Sequence, residues 1–251
     1  MLRQEYFRRL VDDAYIELYL SATDGARLYW PWRMQPPKHA SKRYRDSCET
    51  YIIDSDPLDD SVDAVDVLDC AFKLDAEIAS LQDVYQDKAG TVDKLLSGLE
   101  IADGHLFDGT LLLPLQEPYV ECWEELGEPT EHWLGIGGLK DASPAKRLEA
   151  TKELRNAVGE NVWIHGFGWG INGIARAIRK NPDLINSIDY STPMQNGANI
   201  ECSSGKERMS VAAMDAGTKL IRDLREVSPY VEQTTSERRT ETQSGLEAYS
   251  P

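Results

Sequence analysis

Residues 133–168 read WLGIGGLKDASPAKRLEATKELRNAVGENVWIHGFG, and this stretch decides the fold. Trp133–Ile136 is a short apolar run that breaks at Gly137-Gly138-Leu139. Pro144–Val158 then carries Ala150, Leu154, Ala157 and Val158 at helical spacing and stops at Gly159. Val162–Ile164 is a second apolar run, ending in His165-Gly166-Phe167-Gly168. Strand, helix and strand in this order predict a crossover between parallel strands.

The pattern recurs on both sides. Toward the N-terminus, Tyr51–Ile53 ends in Asp54-Ser55-Asp56-Pro57, and helical material follows at 60–77, where Val67–Leu74 also fits a strand. Ile78–Leu81 leads to Gln82-Asp83, a helix is expected around 91–101, Thr110–Leu115 ends at Gln116, and 117–126 reads as helical. Toward the C-terminus, Ile171–Arg179 is helical, Ser187–Tyr190 is a strand, Asn199–Cys202 is a further candidate strand, and a helix spans roughly 208–226. Residues 4–20 are expected as a helix with Tyr6, Leu10, Ala14 and Leu18 on one face. Residues 31–47 form a Pro-rich, basic segment.

Seven or eight strands in 251 residues fit a (β/α)8 barrel of the TIM type, an α/β single domain over 1–228 with a polar, frayed tail at 229–251. An open doubly wound sheet is the alternative, weakened by the lack of an early glycine-rich phosphate turn.

Composition narrows the function. No apolar run approaches the ~20 residues that span a bilayer, and the N-terminus lacks a signal-like apolar core. A cytoplasmic protein with no membrane partner is expected, in the host cytoplasm if viral. Lys+Arg number 27 against 43 Asp+Glu, a net charge of −16, so a nucleic acid needs a local basic patch. Excess carboxylate with only 11 lysines is also a halophilic pattern, since the Debye length falls to about 3 Å at 1 M salt. An ordinary acidic protein has the same balance. Cys48, Cys70, Cys122 and Cys202, like the four histidines, lack ligand spacing, so neither a disulfide scaffold nor a metal is expected.

In a parallel barrel, chemistry belongs at the C-terminal strand ends. Those ends carry Asp54, Asp83, Gln116, Gly137-Gly138-Leu139, His165-Gly166 and Asp189. Carboxylates accept from ring N–H and amino groups, an amide and backbone N–H groups donate to a carbonyl, and glycines allow close approach. The set suits a planar heterocycle. Each piece also has a plainer reading. Asp54 could cap the next helix, Asp87 competes with Asp83, Gln116 could satisfy backbone at a strand end, the glycines could be tight turns, and Asp189 could be turn chemistry. His165 fits a hydrogen-bonded core histidine.

Tyr51-Ile-Ile-Asp-Ser55, Ser80-Leu-Gln-Asp-Val84, Leu113-Pro-Leu-Gln116, Gly135-Ile-Gly-Gly-Leu139, Gly166-Phe-Gly168, Ser187-Ile-Asp-Tyr-Ser-Thr-Pro193, Gln195-Asn-Gly197 and Ser204-Gly-Lys206 run in one order over roughly residues 50–210. In these motifs the chain resembles the tRNA-guanine transglycosylases, most closely the phage or viral type that places 7-deazaguanines in DNA, related to queuosine and archaeosine chemistry. The resemblance implies that Asp189 is the nucleophile, that Asp54 is the acid/base, and that Asp83 and Gln116 read the base. It also implies that the backbone of Gly138 and Leu139 binds the base carbonyl. The implied reaction exchanges guanine in DNA for a base such as 7-cyano-7-deazaguanine through a covalent Asp-glycosyl ester, with no cofactor.

The zinc motif that follows the nucleophile strand in the tRNA enzymes has no counterpart after Asp189. This tilts the expected partner from tRNA toward DNA. His165 stands where those enzymes have an apolar residue beside the base. Lys38, Lys42, Arg43 and Arg45, with Trp30 and Trp32 just before them, form the densest basic cluster and the expected nucleic-acid contact, with Arg176, Arg179 and Lys180 as a second patch. The same cluster could be a solvated loop. The alternatives are action on tRNA or a nucleoside, a barrel that binds a purine or nucleic acid or partners a catalytic subunit without chemistry, and a paired-carboxylate hydrolase.

Overall fold

The strands expected from buried apolar runs do pair side by side and close on themselves. The structure, a computed structural model, describes residues 12, 14, 16–21, 30–56, 61–139, 141–169, 182–189, 222 and 225. Eight strands follow one another round a closed, all-parallel barrel: β1 (Glu17–Ser21), β2 (Trp32–Gln35), β3 (Thr50–Ile53), β4 (Ile78–Ser80), β5 (Thr110–Leu115), β6 (Trp133–Ile136), β7 (Ile164–Gly166) and β8 (Ser187–Asp189). β8 pairs with β1, setting Asp189 level with Tyr19, so the sheet has no free edge. This closure decides between the barrel and the open sheet.

Helices α1 (Lys42–Arg45), α2 (Ala64–Leu74), α3 (Lys88–Asp103), α4 (Tyr119–Glu125) and α5 (Pro144–Val158) connect successive strands. Their starts follow local chemistry. Asp63 caps α2 in a reciprocal pair with Asp66, Asp87 accepts from the Gly90 amide, and Ser143 accepts from the Lys146 amide just before Pro144. Gly159, at φ +81°, ends α5 in a conformation that favours glycine.

The lumen is filled by side chains. Tyr19 on β1 packs edge-on against Trp133 on β6 and His165 on β7, with ring centroids 6.5 and 5.8 Å away. Neither strand is a neighbour of β1, so these contacts cross the barrel. Trp133 stacks on Trp163 at 4.3 Å, and the Tyr19 hydroxyl donates to Glu17 at 2.8 Å. Leu18, Leu20, Leu134, Ile164 and Ile188 alternate with these residues and join the surrounding hydrophobic core.

Two expectations need correction. The helix expected over 4–20 does not reach its last residues: β1 occupies Glu17–Ser21, where Leu18, Tyr19 and Leu20 are all buried, while residues 4–11, 13 and 15 lie outside the described residues. A strand covered on both faces has no alternation, and Leu18 only mimics the end of a helical stripe. The Pro-rich segment 31–47 contains β2, all four residues of which are buried despite Arg33 and Gln35. The Tyr51 hydroxyl bonds Gln35 at 2.6 Å, and the Arg33 guanidinium lies over the Tyr44 ring at 5.3 Å. Smaller shifts also occur: the 60–77 segment is helical at α2, and β7 runs Ile164–Gly166 rather than Val162–Ile164. The expected helix at 171–179, strand at 199–202, helix at 208–226 (apart from 222 and 225) and tail at 229–251 lie outside the described residues. Among the described residues no helix is long and apolar enough to cross a membrane.

Candidate active site

Because the strands are all parallel, their C-terminal ends and the turns that follow lie at one end of the barrel. Asp54 follows β3, and its amide donates to Gln35 O at 2.9 Å, so its backbone is still held by β2. It does not cap the following helix, because Asp63 does. Its carboxyl is pushed up from 3.8 to about 7, first by burial and then by the negative charges of Asp189, Asp83 and Asp56. Asp54, Asp83 and Asp189 all stand at the C-terminal ends of the parallel strands, and the negative charge of the other two adds to the effect of burial on Asp54.

Asp83 is buried, and burial raises its pKa against the opposing hydrogen bond from Gln116. Gln116, also buried, donates through Nε2 to Asp83 Oδ2 and accepts at Oε1 from the Gln86 amide at 3.1 Å. The amide orientation is thereby fixed at both ends. Asp87, the competitor of Asp83, is occupied as the α3 cap.

Gly137 and Gly138 press against this pair. A Cβ on Gly137 would lie 2.5 Å from Gln116 Nε2 and 3.4 Å from Asp83 Oδ2. One on Gly138, at φ +72°, would lie 2.5 Å from Gln116 Oε1. These glycines make room for Gln116 as well as turning the chain. The Tyr119 hydroxyl donates to Gly137 O at 2.8 Å. A cavity of about 520 Å³ opens beside them, with Gln86, Gln116, Tyr119, Gly138 and Leu139 in its wall.

On the far side, Asp189 is half-buried at the tip of β8, and its Oδ1 accepts from the Gly168 amide. The β7 tip therefore tethers the β8 carboxylate. Gly166 is buried, and a Cβ there would meet the Trp169 ring at 2.8 Å. His165 lies below it, fully buried, its pKa lowered to about 3 by burial. It is a neutral imidazole bonded through Nδ1 to Ser187 Oγ at 2.8 Å, which meets the core-histidine reading on one nitrogen only.

No protein-family model and no curated protein matches this chain. The chemistry must therefore be read from the site itself. One protonatable carboxyl, a second tethered by an amide, and an Asp–Gln pair facing two glycines can together hold a flat polar ring and pass it a proton. Among the described residues no group of three or more His, Cys, Asp or Glu side chains is placed to hold a metal ion.

The basic cluster is divided rather than gathered. Lys38 is exposed and ion-paired with Asp56, two residues beyond Asp54. Arg45 turns to the opposite rim, donating to Asp75 O at 2.7 Å and pairing with Glu77 just before β4. Lys42 and Arg43 are exposed on α1 between them. Arg176, Arg179 and Lys180 lie outside the described residues, as does the turn after Asp189. The sequence carries no signal for Gln86 and Tyr119, which act through a backbone amide and a hydroxyl, and Ser187 and Phe167 stand inside motifs that give them no role.

Proposed function

We propose that the protein is a transglycosylase that exchanges guanine in DNA for a 7-deazaguanine derivative such as 7-cyano-7-deazaguanine. The observation that carries this reading is the set of groups at the C-terminal strand ends of one closed barrel, Asp54, the Asp83–Gln116 pair against Gly137-Gly138, and Asp189 held by the Gly168 amide, with Asp54 raised to about 7 by burial and by nearby carboxylate charge. A group that titrates near neutrality serves both halves of an exchange.

In the first half, an Asp189 oxygen attacks the anomeric carbon, the bond to the guanine nitrogen breaks, and Asp54 gives its proton to the departing base. In the second half, Asp54, now a carboxylate, takes a ring proton from the incoming base. The nitrogen so freed attacks the anomeric carbon, and the ester to Asp189 breaks. Gln116 and Asp83 offer a donor and an acceptor to the edge of the base, and the Gly137-Gly138 turn lets it approach backbone. The missing zinc motif after Asp189 supports DNA over tRNA. A duplex target must be unstacked first, at a few kcal/mol.

The test is to incubate the protein with guanine-containing DNA or tRNA and look for a denaturation-resistant adduct, then to supply 7-deazaguanines and analyse nucleosides by mass spectrometry. An adduct with DNA, absent in Asp189→Ala, is expected. An adduct in both proteins removes Asp189 as nucleophile, and modified base in tRNA alone overturns the DNA reading.

A further inference from the structure

His165 has a second nitrogen that the fold does not use. The Trp163 indole N–H donates to Ser187 Oγ at 2.9 Å, and Ser187 is fully buried. Trp163 takes one lone pair of that oxygen, and we assign the Ser187 hydroxyl hydrogen to the His165 Nδ1 lone pair at 2.8 Å, the arrangement that leaves no buried hydroxyl hydrogen unmatched. In a neutral imidazole this places the ring proton on Nε2. That Nε2–H is buried and has no hydrogen-bond partner. The nearby Tyr19 does not serve it, because the Tyr19 hydroxyl is given to Glu17. A buried donor left unmatched is costly, so it needs a reason.

What covers His165 is Phe167. Their ring centroids are 4.8 Å apart, edge to face. The Phe167 ring lies directly on the backbone of Gly135, where a Cβ would sit 2.2 Å from Cε2. Phe167 is only half-buried, and the next residue, Gly168, tethers Asp189. The ring that packs on His165 thus belongs to the residue next to the one that tethers the carboxylate.

We propose that His165 is a specificity-determining residue of this site, its Nε2–H the donor to a hydrogen-bond acceptor on the incoming heterocycle, reached when the Phe167 ring moves aside. The inference rests on the transglycosylase reading and refines its substrate class. With Nδ1 occupied, this imidazole can only donate toward the ligand. It favours a base with an acceptor substituent, such as a nitrile, and disfavours one with an ammonium group, whose N–H bonds would face another donor.

The experiment titrates 7-cyano-7-deazaguanine, 7-aminomethyl-7-deazaguanine and guanine into the full chain without DNA, by calorimetry, for wild type, His165→Leu and His165→Gln. Imidazole nitrogen NMR of the wild type is recorded alongside. Wild type is expected to prefer the nitrile over the aminomethyl base. His165→Leu should weaken the nitrile base about tenfold and erase that preference, and His165→Gln, which keeps an N–H donor, should recover most of it. The NMR should place the proton on Nε2 and show that nitrogen shifting with the nitrile base. An unchanged preference in a folded His165→Leu, or a proton on Nδ1, overturns the inference and leaves the transglycosylase reading standing. Wild type that binds none of the three bases and exchanges none into DNA overturns both.

Discussion

Replacing Asp54 by asparagine removes a charge that the fold disfavours. An aspartate with an ordinary value of 3.8 and a folded value of about 7 is protonated more readily in the native state than in the unfolded one. Its contribution to stability is therefore fully present below about pH 4 and is lost as the pH rises through 7, levelling above that. At about 1.4 kcal/mol per pH unit, the gap between the two values sets an upper limit of about 4 kcal/mol. Asp54 is only half-buried, and solvent screening reduces the expected cost to about 1–2 kcal/mol. Asp54→Asn keeps the shape and cannot ionise. Urea unfolding of both proteins between pH 4 and 8.5 should show the variant gaining on wild type up to pH 7, then running parallel. The melting point at pH 8 should be roughly 2–8 °C higher in the variant, while exchange activity is lost. Two curves that stay parallel over the whole range would refute the claim that burial and nearby carboxylates raise Asp54.

Three further outcomes are expected. Gly137→Ala drives a methyl group into the Gln116–Asp83 pair, so base affinity should fall at least tenfold by calorimetry, with a stability loss of about 1–3 kcal/mol. Substituting Lys42 and Arg43 together by glutamine should lower the salt dependence of DNA binding by about one charge each and leave unfolding unchanged, whereas Arg45→Gln should show mainly in unfolding, because Arg45 is tied to Asp75 and Glu77. Arg155→Met strips four bonds, to Leu184 O, Gly159 O, Val162 O and Asn186 Oδ1, from a buried guanidinium that braces the strands carrying His165 and Asp189. A loss of about 3 kcal/mol in chemical denaturation is expected.

The parts of the fold that could be read in the sequence are those where pattern and punctuation agree. Thr110–Leu115, Trp133–Ile136 and Pro144–Val158 emerge with the expected bounds because apolar runs meet Gln116, Gly137 and Gly159 at their ends. β1 and β2 do not, because a strand buried on both faces has no period and Arg33 and Gln35 look like surface. Their burial depends on Tyr44 and Tyr51, which come from later elements. At the site, the strand-end position of Asp54, Asp83, Gln116 and Asp189 follows from local pattern alone. The elevation of Asp54 does not, since it needs burial in the closed barrel and then the charges of Asp189 and Asp83, which are far apart in the chain. Nor does the divided basic cluster, because four near neighbours in sequence reach opposite rims of the barrel once β2 and α1 are in place.

The join between β8 and β1 sets an order of events. Asp189 is registered against Tyr19, so its backbone acquires this support only when the first strand and the last have met. A ribosome-bound chain that has made β1 through β7 already holds Asp54, Asp83 and Gln116, yet lacks the seam that positions the eighth tip. Contacts this distant in sequence form late and slowly. The tip that carries Asp189 is thereby set in place last, once the ring of strands is complete.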